Sequence, residues 1–467
     1  MDPIDLNPLI PPDVARILER TPQLARAYLV GGWVRDALLG RPLEDVDLEV
    51  FGVGEQELAA ALSRWGRVDA VGRSFGVLKL TTGERRRVDV TLPRRDSKVR
   101  PGHRGFVVEV DPGLEPREAA ARRDFTINAM MWDPRERRLL DFFGGRADLE
   151  ARVLRHTSDA FAEDPLRVLR GMQLAGRFGL EAHPATLALA RAIAPAHGEL
   201  AGERVWGEWA KWAAHSVRPS AGLRLLRDSG WLAHYPELSD LEATPQDPAW
   251  HPEGDVWTHT CLALDALAAR PDFAALPEAD RVAYAFAVLL HDVGKPLVTR
   301  EEERDGRRRI VSPGHEAAAE PRVASFLARI HAPAALRERV WPLVREHLVH
   351  LHGVSDRSVR RLARRLHPET IEGLARVIRA DADGRPPRPG GDPDGLREIL
   401  ARAAALDVAA RAPRPILRGR HLLARGLAPG PALGALLDEA FEAQLNGAFD
   451  DLAGAERWLA ERLAAGA

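Results

Sequence analysis

Of the 467 residues only one is cysteine, Cys261, which excludes an internal disulfide framework and any zinc site of the cysteine-rich kind. Charge of one sign is lacking as well. A formal net charge of -2 gives no global basic field, so nucleic-acid contact must come from local basic patches. No apolar stretch approaches the roughly 20 residues that cross a bilayer, the nearest being Ala283–Leu290. The opening segment MDPIDLNPLI carries Asp2 and Asp5 and no basic-then-apolar run, which argues against a signal peptide. Internal repeats of fixed period and low-complexity tracts are missing too. A cytoplasmic protein without membrane partners is the expectation.

What is present is globular composition, 45% hydrophobic and 29% charged, in a chain too long for one core, since domains hold roughly 100 to 200 residues. Up to about residue 150, short β-branched runs (AYLVGG, VDLEVFGV, VLKLTT, RRVDVTL) alternate with helical patterns, which predicts an α/β domain. From Ala151 onward apolar residues recur at helical spacing, and the remainder is expected to be almost entirely helical. Breaks at Ser239–Asp255 and at the Pro/Gly-rich Gly384–Gly395 divide it. The expected domains are 1–150, 151–238, 239–385 and 386–467.

The first chemical signal is LVGGWVRDALLGRPLEDVDLEVFG, residues Leu29–Gly52. A strand runs into Gly31 and Gly32, where missing side chains let backbone N–H groups approach a phosphate beside a helix N-terminus, and Arg35 one turn on can reach the same anion. Alone, a GG pair is a tight turn. Asp45 and Asp47 change the reading, because positions i and i+2 of a strand face the same way and two carboxylates together hold the divalent ions of phosphoryl transfer. Asp89 in RRRVDV is the candidate third carboxylate from a neighbouring strand.

GGxVRD, a short spacer and DxD together resemble the catalytic motif of class II tRNA nucleotidyltransferases and bacterial poly(A) polymerases, of the polymerase-β-like superfamily. Arg122–Asp133 (RRDFTINAMMWD) is similar to the family's second motif, Leu139–Leu149 to its interdomain hinge, and Glu163–Arg170 (EDPLRVLR) to its base-selecting motif. The resemblance places Arg123 near the incoming triphosphate. In EDPLRVLR, Asp164 before Pro165 reads as an N-cap with proline at N1, setting Asp164, Arg167 and Arg170 on one helix face. Carboxylate beside guanidinium forms an acceptor and donor edge, which matches cytosine and adenine and mismatches uracil and guanine.

Glu203–Trp212 (ERVWGEWAKW) matches a further family helix, read from the residues as core packing by Trp206 and Trp209. The chain departs from the family where Gln173, in MQLAGRF, replaces a frequent arginine. The basic stretches RRRVDV and LPRRDSKVR are expected to flank a mobile segment.

The second signal is His259, the adjacent pair His291 and Asp292 in AVLLHDVGKP, and Asp381, with His315 and His347 between. Imidazoles and carboxylates gathered from separate helices suit a catalytic divalent metal with open positions. His315, His347 and Lys295 are further ligands or phosphate contacts; His350, His352 and His367 read as core histidines. The order H, HD, H, H, D resembles the HD phosphohydrolase superfamily.

An HD domain in this position is found in one bacterial branch of the CCA-adding family. That resemblance implies an α/β polymerase-β-like head followed by all-α neck, HD and C-terminal helical domains. It further implies addition of C and A to tRNA 3' ends from CTP and ATP with Mg2+, plus phosphatase or 2',3'-cyclic phosphodiesterase activity with Ni2+, Mn2+ or Co2+. Three alternatives stand beside it: a poly(A) polymerase, a CC-only or A-only enzyme, and an HD phosphohydrolase with a non-catalytic RNA-binding head. Arg414, Arg418 and Arg420 in the tail are RNA contacts or part of its packing, and a homo-oligomer is compatible with the sequence.

Overall fold

Alternation of apolar and polar positions in VDLEV makes the middle strand of a seven-stranded sheet. The computed structural model describes residues 4–43, 45–70, 76–98, 106–304 and 306–465, and among them the sheet has the order β3-β4-β5-β2-β1-β8-β9. Its strands are β1 Ala27–Val30, β2 Val46–Val50, β3 Gly66–Ala70, β4 Val77–Thr82, β5 Arg87–Thr91, β8 Met131–Asp133 and β9 Arg138–Leu140. β6 Arg94–Lys98 and β7 Phe106–Val110 form a separate antiparallel hairpin; the segment between them, on which the expected mobility partly falls, lies outside the described residues.

All pairs in the sheet are antiparallel except β2 with β5, and that ladder sets Asp47 directly across from Asp89. The apolar run of β1 is buried throughout. Tyr28 and Val30 pack on Ala119 and Ala120 of the helix Pro116–Ala121, which starts with a reciprocal Glu115–Glu118 cap. Arg122 and Arg123 follow that helix directly, so packing of the alanines fixes where the two arginines emerge.

The chain divides into two compact units, Met1–His234 and Tyr235–Ala467. In the first, the helix Leu166–Phe178 packs on Gly202–His215 and on Pro219–Asp228. Glycine permits the close approach: a Cβ on Gly222 would lie 2.4 Å from the Met172 carbonyl oxygen. Trp209 and Trp212 are fully buried here, their rings edge-to-face at 5.3 Å, whereas Trp206 is only half-buried, so the expected packing role passes from Trp206 to Trp212. Gln173 is buried in this helix layer.

The second unit is built on the helices Val256–Ala268, Glu278–Leu290, Ala334–Glu346 and Ile371–Asp383. The expectation of an almost entirely helical remainder holds apart from two short strand pairings. β12 Arg300–Arg304 and β13 Arg307–Val311 form an antiparallel hairpin, and two-residue strands β10 Val153–Leu154 and β11 Glu181–Ala182 pair in the first unit. Glu302 stands across from Arg309 and Glu303 across from Arg308 in the β12–β13 ladder, so no apolar alternation announces it.

In the tail, Leu417, Leu422, Phe449 and Leu459 form the core, while Arg414, Arg418 and Arg420 are exposed. Packing in this segment therefore rests on leucines and not on the arginines. Among the described residues no helix is long and apolar enough to cross a membrane.

Candidate active sites in the two units

In the first unit, a cleft of about 880 Å³ is lined by Gly31, Gly32, Arg35, Asp47, Arg123, Asp164, Arg167 and Arg170 among others. Gly31 takes φ +66°, and a Cβ there would stand 3.0 Å from an Arg123 guanidinium nitrogen, so the turn is both left-handed and crowded. Arg35 is buried, donating to Asn128 Oδ1 (2.6 Å) and to Asp36 (2.8 and 3.0 Å), with its guanidinium 4.4 Å from the Phe178 ring centroid. It is a fixed wall of the cleft and not a swinging surface arm.

Asp47 lies on β2, and Asp45 is exposed one residue before the strand begins. Burial, then the facing Asp89, push the Asp47 carboxyl up to about 6, Asp45 adding to the effect and Arg123 opposing it. Lys79 Nζ, 3.9 Å from Asp89, is a partial counter-charge. A carboxyl raised by its neighbours marks a cluster with more negative charge than the protein neutralises, and a divalent cation relieves it. The donor set fits Mg2+, which prefers oxygen ligands.

Deeper in the cleft the polar groups are held in ordered pairs. Arg123 donates to Glu49 at 2.7 Å and Arg122 to Glu163 at 3.1 Å. Asp164 is extended, accepts from Leu166 N through its side chain (3.1 Å) and from Arg167 N through its carbonyl (3.0 Å), so it caps the helix although regular helix starts at Leu166. Its other carboxylate oxygen accepts from Arg204 at 2.7 Å. Arg167 is anchored by the carbonyls of Ala160 (2.6 Å) and Arg122 (2.9 Å). Arg170 donates to buried Asp124 at 2.8 Å; burial pushes the Asp124 carboxyl up, but Arg170 and Asn128 hold it below its ordinary value.

Sequence reasoning missed Glu49, Asp124, Asn128, Arg204 and Glu208, which line this cleft. Glu49 and Asp124 stood inside quoted motifs, so a charged residue within a motif was the available signal. Arg204 and Glu208 likewise stood in the quoted Glu203–Trp212, but the pairing of Arg204 with Asp164 spans 40 residues.

In the second unit His259, His291, Asp292 and Asp381 come together with no more than 3% exposure. His259 Nε2 is 3.0 Å from Asp381 Oδ1, 3.2 Å from His291 Nε2 and 3.8 Å from Asp292 Oδ2. His291 Nε2 is 3.2 Å from Asp292 Oδ2. The other oxygen of Asp292 faces a second set, 3.1 Å from His315 Nε2 and 3.9 Å from His347 Nε2. Asp292 thus stands between two ligand groups, His259–His291–Asp381 and His315–His347.

Three of the four imidazoles are turned the same way. His291, His315 and His347 set Nδ1 against the carbonyls of Val288 (2.7 Å), Ser312 (2.8 Å) and Val344 (2.7 Å), while His259 Nδ1 lies 2.8 Å from Glu253 Oε1. With Nδ1 carrying the proton, every Nε2 lone pair points at the shared centre, which is how metal-ligating histidines are oriented. Burial, then His291 and His315, push His347 down to about 3, so it stays neutral. Burial alone would raise Asp292, but His291 and Lys295 hold it well below the carboxylate range. These residues fit a divalent ion that accepts nitrogen ligands.

Lys295 Nζ is held by Asp292 Oδ2 and Gln246 Oε1, each at 2.7 Å, and Arg385 pairs with Asp381. Glu253, with His251 on the same oxygen at 2.8 Å, was not foreseen. His350 is half-buried, but His352 and His367 are exposed, which corrects their reading as core histidines.

Residues 27–155 match the poly A polymerase head domain family and residues 256–383 the HD domain family. The Multifunctional CCA protein of Methylococcus capsulatus is 38% identical over 88% of this chain and 92% of its own length. This chain belongs to the multifunctional CCA protein family. The relative of the same name from Stenotrophomonas maltophilia is 40% identical over 89% of this chain and 98% of its own length. The fold likewise matches two solved structures. One is the Bacillus stearothermophilus CCA-adding enzyme in complex with CTP (TM-score 0.66, 21% identity, 98% of this chain and 99% of that one). The other is the Thermotoga maritima CCA-adding enzyme complexed with tRNA (TM-score 0.57, 18% identity, 98% of each chain).

Proposed function

We propose that this member of the multifunctional CCA family adds C and A to tRNA 3' ends in its first unit and hydrolyses phosphoesters in its second. The observation that carries the first reading is the single cleft joining carboxylate, glycine turn and the Asp164–Arg167–Arg170 group. Asp45 and Asp47 hold Mg2+, which when bound neutralises the triphosphate and the charge that develops on the transferred phosphoryl group. Gly31, Gly32, Arg35 and Arg123 hold the triphosphate. Asp89 assists in taking the proton as the primer 3' oxygen bonds to the α-phosphorus and pyrophosphate leaves.

Asp164, Arg167 and Arg170 present the edge that accepts cytosine and adenine, and the Arg204, Asp124 and backbone pairings keep that edge rigid before nucleotide arrives. Helical residues 151–238 form the neck that carries this edge, beside a head of residues 1–150. The tRNA duplex is recognised through shape and backbone contacts.

Residues 239–385 form the phosphohydrolase, with a tail at 386–467. His259, His291, Asp292 and Asp381 hold a transition metal, Ni2+, Mn2+ or Co2+, in preference to Mg2+, because two of the four donors are imidazole nitrogens and Mg2+ prefers oxygen. When bound, that ion supplies an activated water and polarises the phosphoester. His315, His347 and Lys295 steady the substrate phosphate or a second ion.

One experiment tests the product: tRNA ending in N, NC or NCC is incubated with each nucleoside triphosphate separately and the products are sized. Addition of C, C, then A in turn is expected. Long A tracts, or stopping after CC or requiring it, would replace this reading with a poly(A), CC-only or A-only enzyme.

A further inference from the structure

Among the described residues, Trp250 is the only aromatic among the large apolar side chains left exposed, with 58% of its surface open. An indole offers a large flat apolar face, and this one is open to a stacking partner. It is also fixed in place. The Arg388 guanidinium lies 4.7 Å from its ring centroid and donates to the carbonyls of Ala249 (3.0 Å) and Trp250 (3.4 Å).

Both members of the pair lead straight to the buried histidine and aspartate centre. Trp250 adjoins His251, whose ring centroid is 4.9 Å from that of His259, and precedes by three residues Glu253, which faces His259 Nδ1. Arg388 follows by three residues Arg385, which pairs with Asp381. Two separate chain segments therefore tie one aromatic and cationic platform to two ligands of the same centre. Consecutive Cα atoms are about 3.8 Å apart, so the Trp250 Cα lies at most roughly 11 Å from that of Glu253, which faces His259.

We infer that Trp250, backed by Arg388, is a nucleobase-stacking subsite of the second unit. The inference rests on the phosphohydrolase reading of the centre for its reaction, but on the platform alone for its binding. An aromatic face accepts any base, and the guanidinium behind the indole adds positive charge toward the phosphate.

Full-length wild type, Trp250→Ala and Trp250→Phe, loaded with Ni2+, test it in two readouts. Photolabelling with 8-azidoadenosine 2',3'-cyclic phosphate, mapped to peptides, should mark the segment around Trp250 in wild type and in Trp250→Phe. The KM preference for adenosine 2',3'-cyclic phosphate over glycerol 1,2-cyclic phosphate should fall about ten-fold in Trp250→Ala and be largely kept in Trp250→Phe, as expected for loss of one base stack. Label only in other segments, or hydrolysis with the same preference in all three proteins, overturns the inference. Label at Trp250 in protein that hydrolyses neither ester supports the base subsite while retiring the hydrolase reading.

Discussion

The two centres of this chain solve one problem, holding cations against phosphate, with opposite materials. The head sets carboxylates on and beside interior strands of its sheet, with Asp47 raised to about 6 by burial first and by the facing Asp89 next. The second unit uses imidazoles and two carboxylates sealed from solvent, with Asp292 and Asp381 held far below the ordinary range by cationic neighbours. On the function proposed for the two centres, the open carboxylate site would take up Mg2+ with its substrate, and the preorganised imidazole-rich site would retain a transition metal. The difference teaches that burial alone does not set a carboxylate's charge; the partners do.

The sharpest way to break this contrast is at the head. Asp47→Asn removes the charge proposed to hold the metal without changing volume, and nucleotide addition should drop by at least about three orders of magnitude with the fold intact by circular dichroism. Addition near the wild-type rate would exclude the assignment. Next, Asp292→Asn should abolish metal-dependent hydrolysis, since both ligand groups share that residue; hydrolysis surviving with bound Ni2+ at wild-type stoichiometry would contradict it.

The pH responses should differ in sign of consequence. The folded-state Asp47 carboxyl sits above its unfolded value, so in metal-free protein its charge opposes folding above about pH 6 and the opposition vanishes as pH falls toward 4. Mg2+ competes with that proton, so Mg2+ affinity at the head should weaken about ten-fold per unit below pH 6. Calorimetric titration at pH 5 and 7.5 checks this; equal affinities would remove Asp47 from the ligand set.

A smaller effect is expected at Arg204→Ala, which frees Asp164 from its partner. Discrimination of CTP and ATP against UTP and GTP should fall by roughly 1 kcal/mol, read as misincorporation frequency. A drop in rate with selectivity unchanged would assign Arg204 to the phosphates.

Much of this was legible from local pattern, and what was not has a physical cause. Glycines at a strand-to-helix turn and DxD at the start of a strand are short-range signals, and so is HD after a buried run. The pairings that stiffen the head cleft span 74, 46 and 40 residues, for Arg123–Glu49, Arg170–Asp124 and Arg204–Asp164, and periodicity carries no trace of them. The β12–β13 hairpin escaped because its strands, REEER and RRRIV, are largely runs of charge without apolar alternation, although Gly306 with φ +69° stood at its turn. Trp250 lay unremarked in a stretch read only as a boundary, since its neighbours His251 and Glu253 gain meaning only once His259 is beside them.

The central claim is that one chain carries two chemically independent centres. Its most direct measurement is a paired assay of tRNA extension and 2',3'-cyclic phosphate hydrolysis on the same preparations of wild type, Asp47→Asn and Asp292→Asn. The account predicts that Asp47→Asn loses extension and keeps hydrolysis within about two-fold, and that Asp292→Asn does the reverse, because each removes a ligand from one site only. Loss of both activities in either correctly folded variant would contradict it.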